Sequence, residues 1–141
     1  ASSAMAAELL PLLADAPPEV VARYVRRSVH GAIRSGDDAL SIALADAIVQ
    51  REMDDSYPAL AELMRAKVSD ELYNYLAVLL AGTNRPPLLA ILERELHRGR
   101  RPKVVAEALT IRPTPESRAI LKRWEDGEPY EDGDGAGDGA R

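Results

Sequence analysis

Proline and glycine cut this chain into helix-length pieces, and nothing else in it constrains the fold as strongly. Proline lacks an N–H that the first turn of a helix would leave orphaned, and glycine tolerates the left-handed conformation that ends one, so proline-first and glycine-last segments read as helices. The first predicted helix covers about 4–14 and is bent or ended early by Pro11. Pro17 and Pro18 open a second over about 18–35, closed by Gly36. Asp37 or Asp38 caps a third over about 38–52, and Pro58 begins a fourth over about 58–67. Ser69 caps a fifth over about 70–81, stopped by Gly82. Pro86 and Pro87 open a sixth over about 86–98, stopped by Gly99. Pro102 opens a seventh over about 102–110, and Thr114-Pro115 an eighth over about 115–125, stopped by Gly127. No segment alternates apolar and polar residues with period two over five or more positions, and β-branched residues are sparse, which argues against a sheet.

The expectation is an all-α protein of about seven to eight helices, either a compact orthogonal helical bundle or a short stack of helical hairpins. Residues 1–126 form the helical domain and 127–141 a disordered, acidic, glycine-rich tail or linker. Placed at roughly 100° per residue, the third and fifth predicted helices are apolar most of the way round and belong at the centre. The second and sixth are one-sided and belong outside. The proline-led starts at 18, 58, 87 and 115 are unevenly spaced, so the sequence has no repeat period. With no phenylalanine and one tryptophan, the core is left to Leu, Ala, Val and Ile.

Several chemistries are excluded by composition. Without cysteine there is no disulfide, thiolate nucleophile or cysteine metal site. His30 and His97 are the only histidines, and no metal site or cofactor is expected. Nothing resembles a phosphate loop, a serine nucleophile elbow or a paired-carboxylate cleft, so the chain reads as non-enzymatic. The longest apolar run, Leu76 to Ala81, is far short of the roughly 20 residues that span a bilayer. The apolar start lacks the basic residues of a signal peptide. A cytoplasmic location and no membrane partner are expected.

Charge is unevenly distributed. The chain carries 18 bases and 23 acids, a net charge of −5. Residues 125–141 hold seven of those acids and one base, which leaves 17 bases and 16 acids in residues 1–124. Overall acidity therefore does not exclude an anionic partner for the folded part. The tail could shield basic faces, compete with an anionic ligand, or serve solubility alone. Fifteen of the bases are arginine, an excess that a GC-rich genome also produces.

Two basic clusters are the candidate sites. On the second predicted helix Val21, Val25, Val29 and Ala32 form the apolar stripe. Arg23, Arg26, Arg27, His30 and Arg34 occupy the opposite face with no acid among them. Like charges along a helix repel by roughly 0.2–0.5 kcal/mol per pair unless they meet anions, so this face suits an acidic protein surface, a second copy of the chain included. Its bland alternative is a solvated face, or one neutralised by neighbouring helices. Arg94, Arg98, Arg100, Arg101 and Lys103 surround the turn at Gly99 and could meet a phosphate backbone, or simply complement a helix dipole. The favoured function is a helical protein–protein interaction or adaptor domain using the arginine face. The alternative is nucleic-acid binding by both clusters, with the tail as competitor. Glu93 and His97, four apart, read as a surface ion pair. Tyr73, Tyr75 and Trp124 read mainly as packing residues, Trp124 sealing the last helix through Ile120 and Leu121.

Overall fold

A computed structural model of the protein describes residues 16–130. Among them are seven α-helices and no strand: α1 (Pro18–Ser35), α2 (Asp38–Gln50), α3 (Tyr57–Arg65), α4 (Asp70–Thr83), α5 (Pro86–Arg98), α6 (Pro102–Ile111) and α7 (Pro115–Glu125), with one 3₁₀ turn at Asp54–Ser56. The predicted helix over 4–14 and residues 131–141 of the expected 127–141 tail lie outside the described residues; the first four tail residues are described, and Tyr130 stacks on His97.

Most helix boundaries follow the proline and cap logic. Proline occupies the first or second position of α1, α3, α5, α6 and α7. Asp37 and Ser69 each accept a hydrogen bond from the backbone N–H three residues on, starting α2 and α4. Thr114 and Ser117 form a reciprocal capping box at α7. Gly36 ends α1 in the left-handed conformation, with φ of 67°.

Three boundaries differ from the sequence expectation. Gly82 does not stop α4; the helix runs on to Thr83, and Asn84 supplies the left-handed residue at φ 51°. Asparagine tolerates that conformation, so glycine was not required there. α2 stops at Gln50 because Glu52 takes φ 52°. α3 stops at Arg65, where Ala66 turns extended.

The helices form two layers. The odd-numbered ones neighbour each other in the order α1, α3, α5, α7, and the even-numbered ones in the order α2, α4, α6. Hydrogen bonds between the links fix this arrangement at both ends. At one end Ser69 donates to Asp38 (2.5 Å), Arg100 donates to the Val68 carbonyl (2.6 Å), and Arg101 pairs with Asp70 (3.4 Å). At the other, Arg85 pairs with Glu52 (2.8 Å) and donates to the Tyr57 hydroxyl. There too, Asn84 bonds both Glu116 and Thr114. Every odd-to-even link lies at the first end and every even-to-odd link at the second, so this is a short stack of helical hairpins. The hairpin of α3 and α4 is splayed: α3, only nine residues long, leans on α1 and α5 instead.

One apolar core runs through the stack, from Val25 and Val29 through Leu44, Ile48, Leu60, Leu63, Leu72, Leu76 and Leu92 to Leu109 and Ile120. Of the two helices expected at the centre on their all-round apolarity, α4 packs on α2, α5 and α6 and buries Leu72, Tyr73, Leu76, Ala77 and Leu80, whereas α2 packs mainly on α1 and α4. Outside, α1 buries only Val25, Val29 and Ala32.

Candidate functional site

The layering sorts charge. Helices α1, α3, α5 and α7 together carry ten bases against six acids. Helices α2, α4 and α6 carry one base, Lys103, against five acids: Asp38, Asp46, Asp70, Glu71 and Glu107. Each odd helix also ends with a base in its last turn: Arg34, Arg65, Arg98 and Arg123. The hairpin geometry puts those four C-terminal turns at the same end of the molecule, where cations complement the helix dipoles.

The arginine face of α1 is exposed as its periodicity implies, with Arg23, Arg26, Arg27 and Arg34 all in solvent and His30 half-buried. Its neighbour α3 answers part of it. Arg26 Nη2 lies 3.2 Å from Glu62 Oε1, and His30 Nε2 lies 2.7 Å from Glu62 Oε2. One carboxylate thus spans two of the five basic side chains. Among the described residues no carboxylate pairs with Arg23, Arg27 or Arg34. Beside this row, an open recess of about 430 Å³ runs between α1 and the start of α3, lined by Glu19, Ala22, Arg23, Asp55, Pro58 and Ala59 among others.

The second cluster is arranged differently. Arg94 Nη1 lies 3.7 Å from Glu95. Arg98 sits over the Tyr130 ring at 5.8 Å, and Arg100 over the Tyr73 ring at 5.2 Å while also donating to Val68. Arg101 pairs with Asp70 and donates to Asn74 (3.3 Å). Lys103 is exposed. Arg100 and Arg101 therefore tie the α5–α6 link to the α3–α4 link and to α4. The cluster is not continuous with the α1 row, since α3 intervenes, although Arg94 and Arg98 share the odd layer with it.

Glu95 is the unusual residue here. It is 2% exposed, bonded to a tyrosine, 3.7 Å from Arg94, and within the electrostatic reach of Arg65 and Arg100. The Tyr73 hydroxyl donates to Glu95 Oε1 at 2.6 Å. Burial raises the Glu95 carboxyl above its ordinary value, against the opposing pull of Tyr73, Arg94, Arg65 and Arg100. The Tyr73 hydroxyl is raised too, first by burial and then by the adjacent carboxylate. Gly99 stands against this group: a Cβ there would overlap the Glu95 carboxylate and backbone. A buried acid four residues from the end of an otherwise basic turn gives no periodic sequence signal, and sequence reasoning missed it.

The expected Glu93–His97 pair does not form. Glu93 is held by Arg123 of α7 through two hydrogen bonds of 3.1 Å. Arginine's planar fork matches a carboxylate better than imidazole does. His97 instead stacks on Tyr130, with ring centroids 4.5 Å apart and planes 7° from parallel. Its Nε2 is buried with no hydrogen-bond partner among the described residues. Tyr75 is exposed and donates to Asp46 at 2.5 Å, a bond that pushes its hydroxyl up to about 12. Trp124 packs against the core beside Ile120 and Leu121.

Across the molecule, a groove of about 380 Å³ runs over the even layer, where Val78 and Ile111 are exposed beside Val49, Leu79 and Ala108. Among the described residues no group of three or more metal-ligating side chains gathers, and no helix is long and apolar enough to cross a membrane. No family model, curated protein or solved structure matches the chain.

Proposed function

We propose that this chain is a non-enzymatic protein-interaction domain whose α1 face receives an acidic surface of a partner protein. The observation that carries the reading is the row Arg23, Arg27 and Arg34. These side chains are exposed on the first helix of the described stack, with no carboxylate paired to them among the described residues. The adjoining recess favours a polypeptide, because it sets Glu19 and Asp55 beside Arg23 and adds the apolar surfaces of Ala22, Pro58 and Ala59. Interfaces between proteins are mixed in this way and enriched in arginine.

Nucleic-acid binding is the weaker reading. Steep, salt-sensitive phosphate binding takes roughly six or more cationic contacts, and two of the second cluster's bases, Arg100 and Arg101, are already engaged across the stack. The experiment is fluorescence anisotropy with a labelled Glu/Asp-rich peptide and with labelled duplex DNA, from about 50 to 300 mM salt, a range over which phosphate binding collapses. The wild-type chain is compared with its Arg23, Arg27 and Arg34→Ala variant. Peptide binding that falls about tenfold or more in the variant, roughly the loss of 1.4 kcal/mol, supports the proposal. Duplex binding that is tighter than peptide binding and falls steeply with salt overturns it in favour of nucleic acid.

A further inference from the structure

The even layer has one outer face. α4 is flanked by α2 and α6 and backed by α5, so its exposed stripe, from Glu71 through Tyr75 and Val78 to Gly82, points out of the layer. Asp46 of α2 joins this face by accepting from Tyr75, and Glu107 and Ile111 of α6 are exposed beside it. Each of the three helices puts a carboxylate first and an apolar side chain after it: Asp46 before Val49, Glu71 before Val78, Glu107 before Ile111. The even helices run the same way, so the acids gather toward one end of the face and the apolar groove opens at the other. Among the described residues no base pairs with Asp46, Glu71 or Glu107.

The exposed large apolar side chains among the described residues are Val20, Tyr75, Val78 and Ile111. Three belong to this face. The fourth heads the arginine row of α1: Val20, Arg23, Arg27 and Arg34 fall within about 60° of arc at 100° per residue. The two surfaces match in sign, order and spacing. Seven residues separate Val20 from Arg27, and seven separate Glu71 from Val78, about 10–11 Å in each helix at 1.5 Å per residue. The apolar residue comes first in α1 and last in α4. An α1 laid antiparallel to α4 therefore sets Val20 in the groove as Arg27 reaches Glu71, with Arg23 level with Tyr75 and Asp46.

We infer that the groove of the even layer is occupied by α1 of a second copy of this chain, Val20 seated beside Val78 and Ile111, and Arg23 and Arg27 on the carboxylates of Asp46, Glu71 and Glu107. The inference rests on the proposed role of the α1 face and names the surface that face receives. Association covers the exposed apolar groups, and the paired charges fix the register. The row belongs to the odd layer and the groove to the outer side of the even one, so one copy uses both at once. The contact is head-to-tail, and assembly passes beyond a dimer.

The test is sedimentation of the full chain from about 10 μM to 1 mM, a range that reads weak association. Wild type is compared with Arg23→Ala and Arg27→Ala combined, and with Val78→Arg, all substitutions at exposed positions. The average mass of wild type rises past that of a dimer, and either variant weakens association about tenfold or more, the equivalent of about 1.4 kcal/mol. Mixed in equal amounts, the two variants form a dimer and nothing larger, because one brings an intact groove and the other an intact row. A wild-type chain that stays monomeric throughout overturns the inference, as does association that Val78→Arg leaves unchanged. Acidic-peptide binding by a chain that does not self-associate strikes this inference alone and leaves the proposed function standing.

Discussion

Among single residues, Glu95 carries the sharpest consequence. Its folded-state carboxyl is raised above the value of about 4.3 typical of an unfolded glutamate. Between those two values the folded state holds a proton that the unfolded state has released. Stability therefore falls as pH rises through that window, and the cost persists above it. Glu95→Gln keeps an acceptor for Tyr73 and removes the charge, so the variant gains on wild type as pH rises from 4 to 7, and the difference between the two urea curves shows it. Glu95→Ala removes the same titration but strands the Tyr73 hydroxyl, so it lies about 1–3 kcal/mol below Glu95→Gln throughout that range. Gly99 belongs to the same group. Its φ of −83° is open to any residue; what excludes a side chain is the approach of Glu95. Gly99→Ala destabilises by about 1–3 kcal/mol, visible as a lower thermal midpoint, whereas Gly31→Ala, which meets open space inside a helix, does not. A glycine after a basic turn reads in the sequence as a helix stop, and Gly99 is one. That it also makes room for a buried acid depends on packing that no local pattern encodes.

Helices were the most legible scale. Five open with proline in the first turn, and their limits fall within a residue or two of the expectation, because the lost N–H and the fixed φ of proline act locally. Legibility failed where the stop signal was not glycine, at Asn84 and Glu52, both in left-handed backbone. The caps carry a prediction of their own. Ser69 both starts α4 and donates to Asp38 of α2, while Thr114 starts α7 at the opposite end of the stack. Replacing either with alanine costs about 0.5–2 kcal/mol. Lying at opposite ends without shared partners, the two losses add in the double variant to within about 0.5 kcal/mol in equilibrium unfolding.

For the molecule as a whole, the arginine row of α1 could be read from a helical wheel, but its partial neutralisation could not. Glu62 lies 36 residues from Arg26, and their meeting depends on α1 and α3 sharing a layer. The layering itself was hidden because the seven helices range from 9 to 18 residues, so a repeated structure is written without a repeated sequence. Each helix touches mainly its neighbours, and such stacks lose protection from their ends inward. Native-state hydrogen exchange is expected to be slowest at Leu76, Ala77 and Leu80 in α4 and faster along α7, which packs mainly on α5 and α6.

Attachment at both ends of the hairpins also decides how the molecule bears tension. A pull on the C-terminal side reaches the stacked rings of Tyr130 and His97 before it reaches α7, and α7 is next held by the fork of Arg123 on Glu93. Those two fastenings take the load ahead of the core, which α7 joins through Ile120.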